Sequence, residues 1–268
     1  YPVTKTPGMR YLHDLAEAKM GYAPDEESAL QAHFTNTPPA IADLDGDGEP
    51  EVILLASVQN ASQTDREKGV ALWVVGHDGS RRPGWELPFH APGYLSGLWD
   101  YGGNIVAITN QASVADLDGG SPGLEVIFPG FDGRIHALSA AGAELWDFEY
   151  TADAEVMTGG VVIGDLSADG APEVVFATYA TADDKSDLFV LSSTGALLHQ
   201  LPLPRRGAMP VPTLADVDGD GTVEIVISLK DAEDKVESVR VYTVAGSATN
   251  CLLWPTGRGN LLRNGHVP

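Results

Sequence analysis

One pattern recurs four times along this chain, and it narrows the fold more than any other feature. Pro39–Leu54 reads PAIADLDGDGEPEVIL and Ser113–Phe128 reads SVADLDGGSPGLEVIF. Val161–Phe176 reads VVIGDLSADGAPEVVF and Val211–Ile227 reads VPTLADVDGDGTVEIVI. Their first aspartates, Asp43, Asp116, Asp165 and Asp216, lie 73, 49 and 51 residues apart. A period near 50 falls among β-propeller blades and well above leucine-rich or helical-hairpin repeats. Each unit has one grammar. An apolar run enters an acidic, Gly-rich loop, and a β-branched run follows: Glu51–Leu55, Glu125–Phe128, Glu173–Phe176, Glu224–Ile227. Such runs, bounded by turn residues, read as strands. A third strand follows at Val70–Val75, Arg134–Leu138, Asp187–Leu191 and Val239–Tyr242, then a glycine turn. A fourth run closes the unit at Trp85–Leu87, Glu144–Trp146, Ala196–Leu198 and Cys251–Trp254. The expectation is an all-β chain, a β-propeller of four-stranded antiparallel blades over residues 38–268. Four blades are clear.

Two regions depart from the repeat. Residues 1–37 form a leader with helical signals: Leu12, Leu15 and Ala16 keep helical spacing, and Pro24 followed by Asp25, Glu26 and Glu27 reads as a helix start. Residues 90–111 lengthen the first spacing and hold one strand candidate, Asn104–Thr109, which leaves room for a fifth, mixed blade. The chain begins with Tyr1 and lacks the charged-then-apolar pattern of a signal peptide, so the expectation is a processed chain or a piece of a longer one.

Charge removes several functions. The chain has 38 Asp+Glu against 16 Lys+Arg, a formal net charge of -22 over 268 residues. Such a surface repels phosphate backbones and anionic lipids, so neither nucleic acid nor a membrane is an expected partner. No apolar run reaches the roughly 18 residues of a spanning helix. A single cysteine, Cys251, allows no intrachain disulfide and no cysteine-based zinc cage.

The acids are clustered, and position by position the clusters look like cation sites. Loop one is Asp43-Leu-Asp45-Gly-Asp47-Gly-Glu49-Pro-Glu51 and loop four is Asp216-Val-Asp218-Gly-Asp220-Gly-Thr222-Val-Glu224. Both put carboxylates at positions 1, 3, 5 and 9 and Gly at 6. Hard oxygens in that number suit Ca²⁺, which takes 6–8 of them at about 2.3–2.6 Å. Position 7, Glu49 or Thr222, would add a backbone carbonyl. An EF-hand needs a bidentate Glu at position 12; Leu54 and Ile227 stand there, inside a strand, so that reading fails. Loop three keeps Asp165, Asp169 and Glu173 and offers the Ser167 hydroxyl at position 3, one charge fewer. Loop two keeps Asp116 and Asp118, lacks the position-5 acid and displaces its Glu125 by one residue, and is read as a weaker site. The competing reading is a plain acidic turn, since Asp and Gly dominate turns. Recurrence at one point of the repeat argues against it. The four loops hold 15 of the 38 acids, so part of the excess charge belongs to them.

At these residues the chain resembles the FG-GAP (VCBS-type) repeats, the calcium-loop blades of the integrin α-subunit propeller that are widespread in bacterial secreted proteins. DLDGDGxPE followed by VIL carries the likeness over roughly residues 38–254, and the ending from Trp254 to Gly265 resembles the segment that closes bacterial propellers of this type. The resemblance implies Ca²⁺ bound through positions 1, 3, 5, 7 and 9. That maps onto Asp43, Asp45, Asp47, Glu49 and Glu51; onto Asp165, Ser167, Asp169, Ala171 and Glu173; and onto Asp216, Asp218, Asp220, Thr222 and Glu224. It implies about three ions, with loop two as a fourth. Integrin propellers have seven blades, and the Phe-Gly and Gly-Ala-Pro signatures of the animal repeats are mostly missing here.

No HExxH, GxSxG or P-loop occurs, and the seven histidines form no spaced ligand set. His136, at alternating spacing in a strand, reads as a satisfied sheet histidine. The leading functional expectation is a non-catalytic, calcium-binding propeller, secreted or on a bacterial cell surface, that recognises a protein or glycan. One alternative is a polysaccharide lyase or hydrolase using Arg134, Arg205 or Arg206 in a groove. The other is a structural subunit that docks or self-associates through its leader. Trp85, Trp99, Trp146 and Trp254 fit either core packing or a sugar-stacking rim.

Overall fold

The computed structural model describes residues 30–33, 38–60, 69–93, 100–101, 104–105, 111–119, 123–229, 238–247 and 252–260, with Leu262 and Gly265. All regular structure among them is β-strand, arranged as antiparallel sheets. The first sheet holds β1 (Leu30–His33), β2 (Ala40–Ala42), β3 (Glu51–Asn60), β4 (Val70–Val75) and β5 (Phe89–Ala91). Both β1 and β2 pair with β3, at its two ends: Ala40 faces Ile53 and Leu30 faces Asn60. A short hairpin of β6 (Asp100–Tyr101) and β7 (Asn104–Ile105) follows. The second sheet is a four-stranded meander of β8 (Ser113–Ala115), β9 (Glu125–Pro129), β10 (Arg134–Leu138) and β11 (Glu144–Glu149). The third contains β12 (Val156–Thr158), β13 (Val162–Gly164), β14 (Glu173–Ala180), β15 (Ser186–Leu191) and β16 (Leu197–Leu203). The fourth has β17 (Thr213–Ala215), β18 (Val223–Ser228) and β19 (Val239–Val244). Last comes β20 (Leu252–Trp254).

In the second and third sheets burial falls from the inner strands to the last one, and this explains their hydrophobic patterns. Every residue of β8, β9, β13 and β14 is buried. A strand covered on both faces needs a continuous apolar run, which Val-Ile-Phe and Val-Val-Phe supply. The outermost β11 alternates between half-buried and exposed positions, and β16 is exposed at all but Leu203. The inner strands stand side by side in chain order, β2 by β8, β8 by β13 and β13 by β17. The sheets therefore stack radially, in a propeller-like arrangement. Phe148 and Tyr150 meet Phe176 edge-on, at 6.4 and 5.6 Å between centroids, forming an aromatic seam between the second and third sheets. Fully burying one such ring contributes about 1.5–3 kcal/mol.

Two sheet interfaces also share a tryptophan contact. Trp85, after the β4 turn, donates its Nε1–H to the Ala140 carbonyl of the next sheet at 2.7 Å. Trp146 on β11 does the same to Ser193 at 2.9 Å. Each ring lies on the glycine of the neighbouring hairpin, and a Cβ on Gly142 or Gly195 would stand 3.2 or 2.7 Å from it. At the third interface the residue equivalent to Trp146 is His199, which faces Val190 as Trp146 faces Ala137. There a cleft of about 450 Å³ opens, lined by Leu198, His199, Leu201, Tyr242 and Val244 among others. A tryptophan wedge is therefore replaced by a gap.

The strand expectations hold for the first three runs of every repeat, and the details that differ lie elsewhere. Trp85–Leu87 is a bend; the fourth strand of the first sheet is β5, at Phe89–Ala91. Pro83 has no N–H to give a ladder, and Trp85 turns to the neighbouring sheet instead. Leu252–Trp254 does not close the fourth sheet. It pairs with β13 of the third, with Trp254 facing Ile163. Trp254 is fully buried, and an outermost strand would leave that indole in water. Within the leader, Leu30–His33 form β1. Of the strand expected at Asn104–Thr109, Asn104 and Ile105 are β7. The helical spacing of Leu12, Leu15 and Ala16, the helix start at Pro24, and also Trp99 and Cys251, lie outside the described residues.

The chain's end ties the inner strands together. The Leu214 amide of β17 donates to the Pro255 carbonyl, and the Ile41 amide of β2 donates to the Gly265 carbonyl, both at 2.8 Å. Gln111 Nε2 donates to Pro39 O at 2.9 Å.

Candidate metal centres

Each acidic loop joins the inner strand of a sheet to the second. Its last acid opens that second strand: Glu51, Glu125, Glu173 and Glu224 are 1, 2, 6 and 1% exposed. In all four loops this glutamate's Oε2 accepts the amide of loop position 2. Leu44, Leu117, Leu166 and Val217 donate at 2.9, 2.7, 2.6 and 2.9 Å. The leucines of the first three are buried beneath the loop, so the loop is pinned between a core side chain and a buried carboxylate. Burial pushes the carboxyls of Glu51, Glu125 and Glu173 above the usual range, although the amide bonds pull the other way. An ionised, buried carboxylate is costly unless paired.

Position 1 curls the loop. In loop one Asp43 accepts the amides of Asp47 and Gly48 at 3.0 and 2.8 Å. In loop three Asp165 accepts those of Asp169 and Gly170, and in loop four Asp216 accepts those of Gly219 and Gly221. Position 5 accepts the amide of position 7: Glu49 to Asp47, Ala171 to Asp169 and Thr222 to Asp220, at 2.8, 2.9 and 2.7 Å. In loop two Asp116 accepts the amides of Asp118 and Gly119.

Carboxylate oxygens converge within 4.8 Å of one another in three loops: Asp43, Asp45 and Glu51; Asp116, Asp118 and Glu125; Asp216, Asp218 and Glu224. The acids at positions 1 and 3 and the buried glutamate therefore meet even in loop two, where the displaced glutamate had suggested a weaker site. The shift is absorbed in the loop, since Glu125 keeps its bond to Leu117. In loop three, Asp165, Asp169 and Glu173 form no such trio among the described residues. Position 3 there is Ser167, whose amide donates to Glu173 at 3.2 Å. Asp47, Asp169 and Asp220 stand outside the trios, and Glu49, Ala171 and Thr222 contribute amide donors to the loop turn.

Loop four carries the clearest demand for a cation. Glu224 Oε1 is buried and has no hydrogen-bond partner, while Oε2 holds Val217. In loop one the matching oxygen, Glu51 Oε1, is likewise buried without a hydrogen bond, but it forms an ion pair with Arg82 Nε at 3.3 Å. Arg82 also bonds Asp45 and Asp47 through Nη2. Nothing in the local sequence had assigned Arg82 to the loop, because it arrives from the hairpin after β4.

Position 4 demands a left-handed backbone. Gly46 and Gly219 have φ of 74° and 82°, with open space around their Cα atoms, so conformation and not room selects glycine. Loop three places Ala168 there at φ 57°. Left-handed geometry costs a non-glycine residue about 1–2 kcal/mol, partly offset by glycine's greater freedom when unfolded. Ala168→Gly is expected to raise stability by about 0.5–1 kcal/mol, read as a higher denaturant midpoint with an unchanged slope.

Among other sequence candidates, Arg134 pairs with Asp147 and Glu149 across β11. Arg206 lies over Tyr179 at 4.7 Å, and Arg205 is 3.8 Å from Asp183. His136 is buried between Glu144 at Nδ1, 2.8 Å, and Asp132 at Nε2, 3.0 Å, with its ring stacked on Phe128. Burial opposes its charge, but the two carboxylates outweigh that and raise its pKa. A raised folded pKa contributes stability in full below the unfolded value of about 6.5, and loses it as pH rises through the folded value. The stability difference between wild type and His136→Gln should therefore be larger at pH 6 than at pH 9, as urea melts at both would show.

No protein-family model matches the chain, and no curated protein matches it. Among solved structures it is similar to that of Dos1 propeller, at 12% identity and TM-score 0.43, over 88% of this chain and 54% of that one. It is similar to a subtype N11 neuraminidase-like protein of A/flat-faced bat/Peru/033/2010, at 14% identity and TM-score 0.37, over 78% and 52%. It is also similar to the V. cholerae biofilm matrix protein Bap1, at 17% identity and TM-score 0.35, over 66% and 30%. The chain thus spans between about a third and about half of those chains. At these scores the likenesses carry no inference about function. Among the described residues no helix is long and apolar enough to cross a membrane.

Proposed function

We propose that this chain is a calcium-binding β-propeller of the FG-GAP type that recognises a protein or glycan ligand outside the cell, without catalysis. One observation carries the metal reading: the unpartnered, buried Oε1 of Glu224, beside Asp216 and Asp218. A bare carboxylate oxygen in that position leaves an anion desolvated, and a divalent cation is the partner that answers it. Loop four then holds the ion through Asp216, Asp218 and Glu224, with Asp220 and the Thr222 carbonyl within the same loop. Loop two offers a similar trio. Recognition is supported by placement. Loop two lies against loop one, with the Leu124 amide donating to Leu44 O at 2.8 Å. Loops two and three line a shared cleft of about 260 Å³ with Asp116, Asp165 and Leu253. Cations along this face would offset part of the acidic charge and leave a firm, polar platform. An extracellular setting, where Ca²⁺ is plentiful, suits sites of modest affinity.

The test compares thermal melts in Ca²⁺ and in chelator, for wild type and Glu224→Gln. Calcium should raise the wild-type Tm by several degrees, since a ligand that binds only the folded state stabilises it. Glu224→Gln should lose most of that rise. Identical wild-type melts in Ca²⁺ and chelator would remove the metal reading.

A further inference from the structure

We propose that loop one carries its own cation: the guanidinium of Arg82 takes the place an ion holds in loop four, so loop one stays closed to Ca²⁺. This rests on the calcium reading of loop four and goes beyond it, because it separates two loops with the same ligand spacing. By charge alone loop one should bind best, with five acids against four in loop four. The geometry says otherwise. Arg82 Nη2 bonds Asp45 and Asp47, and Nε pairs with Glu51 Oε1 at 3.3 Å. Those acids stand at positions 3, 5 and 9, where a cation's ligands would come from. Neither Glu51 Oε1 nor its counterpart Glu224 Oε1 accepts a hydrogen bond, but among the described residues the Glu51 oxygen has a guanidinium beside it and the Glu224 oxygen has no such ion pair. The Arg82 side chain is only 17% exposed.

The arginine belongs to the first sheet alone. Its hairpin after β4 carries the added segment Arg81-Arg82-Pro83-Gly84. The equivalent turns are Ser139–Ala143 and Ser192–Ala196 in the next two sheets and Ala245–Ser247 in the fourth, and none has a basic residue. A guanidinium presents several donors in a rigid fork and stays charged at every relevant pH. It therefore neutralises the loop without a metal and staples the hairpin to it. Calcium would have to displace a held cation from loop one, while loop four offers an open oxygen.

Calcium titration by calorimetry and melting in chelator test this on wild type, Arg82→Gln and Arg82→Lys. In chelator, Arg82→Gln should melt several degrees below wild type, because Asp45, Asp47 and Glu51 lose the guanidinium that pairs with them. Added Ca²⁺ should restore it, and the variant should bind one more ion than wild type. Arg82→Lys, which keeps the charge without the fork, should fall between them in chelator. Equal melting of Arg82→Gln and wild type in chelator would overturn the proposal. So would a wild-type loop one already filled, seen as one ion lost on Asp45→Asn. A chain that binds no Ca²⁺ in any variant, yet loses stability with Arg82→Gln in chelator, would retain the internal cation and sink only the calcium reading.

Discussion

Trp85→Ala should lower unfolding free energy by about 3–5 kcal/mol, the range for removing a large aromatic side chain from a core. For a chain of this size that is roughly 6–15 °C in Tm. The indole is 2% exposed, sits in the core cluster shared by the first three sheets, and bonds the Ala140 carbonyl. Its loss empties the wedge between the first two sheets and leaves that carbonyl without its donor. Trp85→Phe separates these effects. It keeps most of the apolar volume and removes the hydrogen bond, so a loss nearer 1–2 kcal/mol is expected. Equilibrium urea unfolding gives both numbers. A Trp85→Ala variant within about 1 kcal/mol of wild type would mean that the interface collapses around the gap.

Gly84→Ala should be nearly as damaging, from one methyl group. A Cβ there would lie 2.1 Å from the Ala141 carbonyl oxygen, and backbone cannot swing aside as a flexible side chain can. Gly84 also has φ of 84°. Left-handed strain of about 1–2 kcal/mol and overpacking of about 1–3 kcal/mol together give about 2–5 kcal/mol. Gly79→Ala is the control, because its φ is 82° and nothing lies within 4 Å of the added atom. It should show the backbone cost alone. Similar losses for the two variants would mean that the first two sheets can separate slightly at no cost.

These two neighbours show where the sequence was readable and where it was not. Strand runs such as Glu125–Phe128 and Glu173–Phe176 are fixed by composition and punctuation, which are local, and they emerge where expected. The loop positions were legible because the spacing of Asp43, Asp45 and Glu51 itself creates the curl. Trp85 was misplaced in a strand because its partner, Ala140, belongs to another sheet and leaves no local mark. Trp254 was misplaced for a related reason: an apolar triplet after a turn fits an outer strand or an inner one, and only the buried indole decides. Arg82 stands outside the acidic motif, and only the return of the hairpin brings it to the acids. The buried oxygens of Glu51 and Glu224 were legible as ligands but not as unequal ones, since that inequality comes from a residue outside the motif.

The bonds that join Ile41 to Gly265 and Leu214 to Pro255 have a consequence for timing. They connect the first and fourth sheets through a stretch of chain that follows both in the sequence. Each meander can assemble from contacts close in sequence, but these closing bonds cannot form until residue 265 has emerged. Contacts so distant in sequence slow folding. During synthesis the first three sheets must therefore persist as an open arc, with β13 lacking the strand that later covers it. In a nascent chain, that uncovered edge is the surface most open to pairing with the wrong strand.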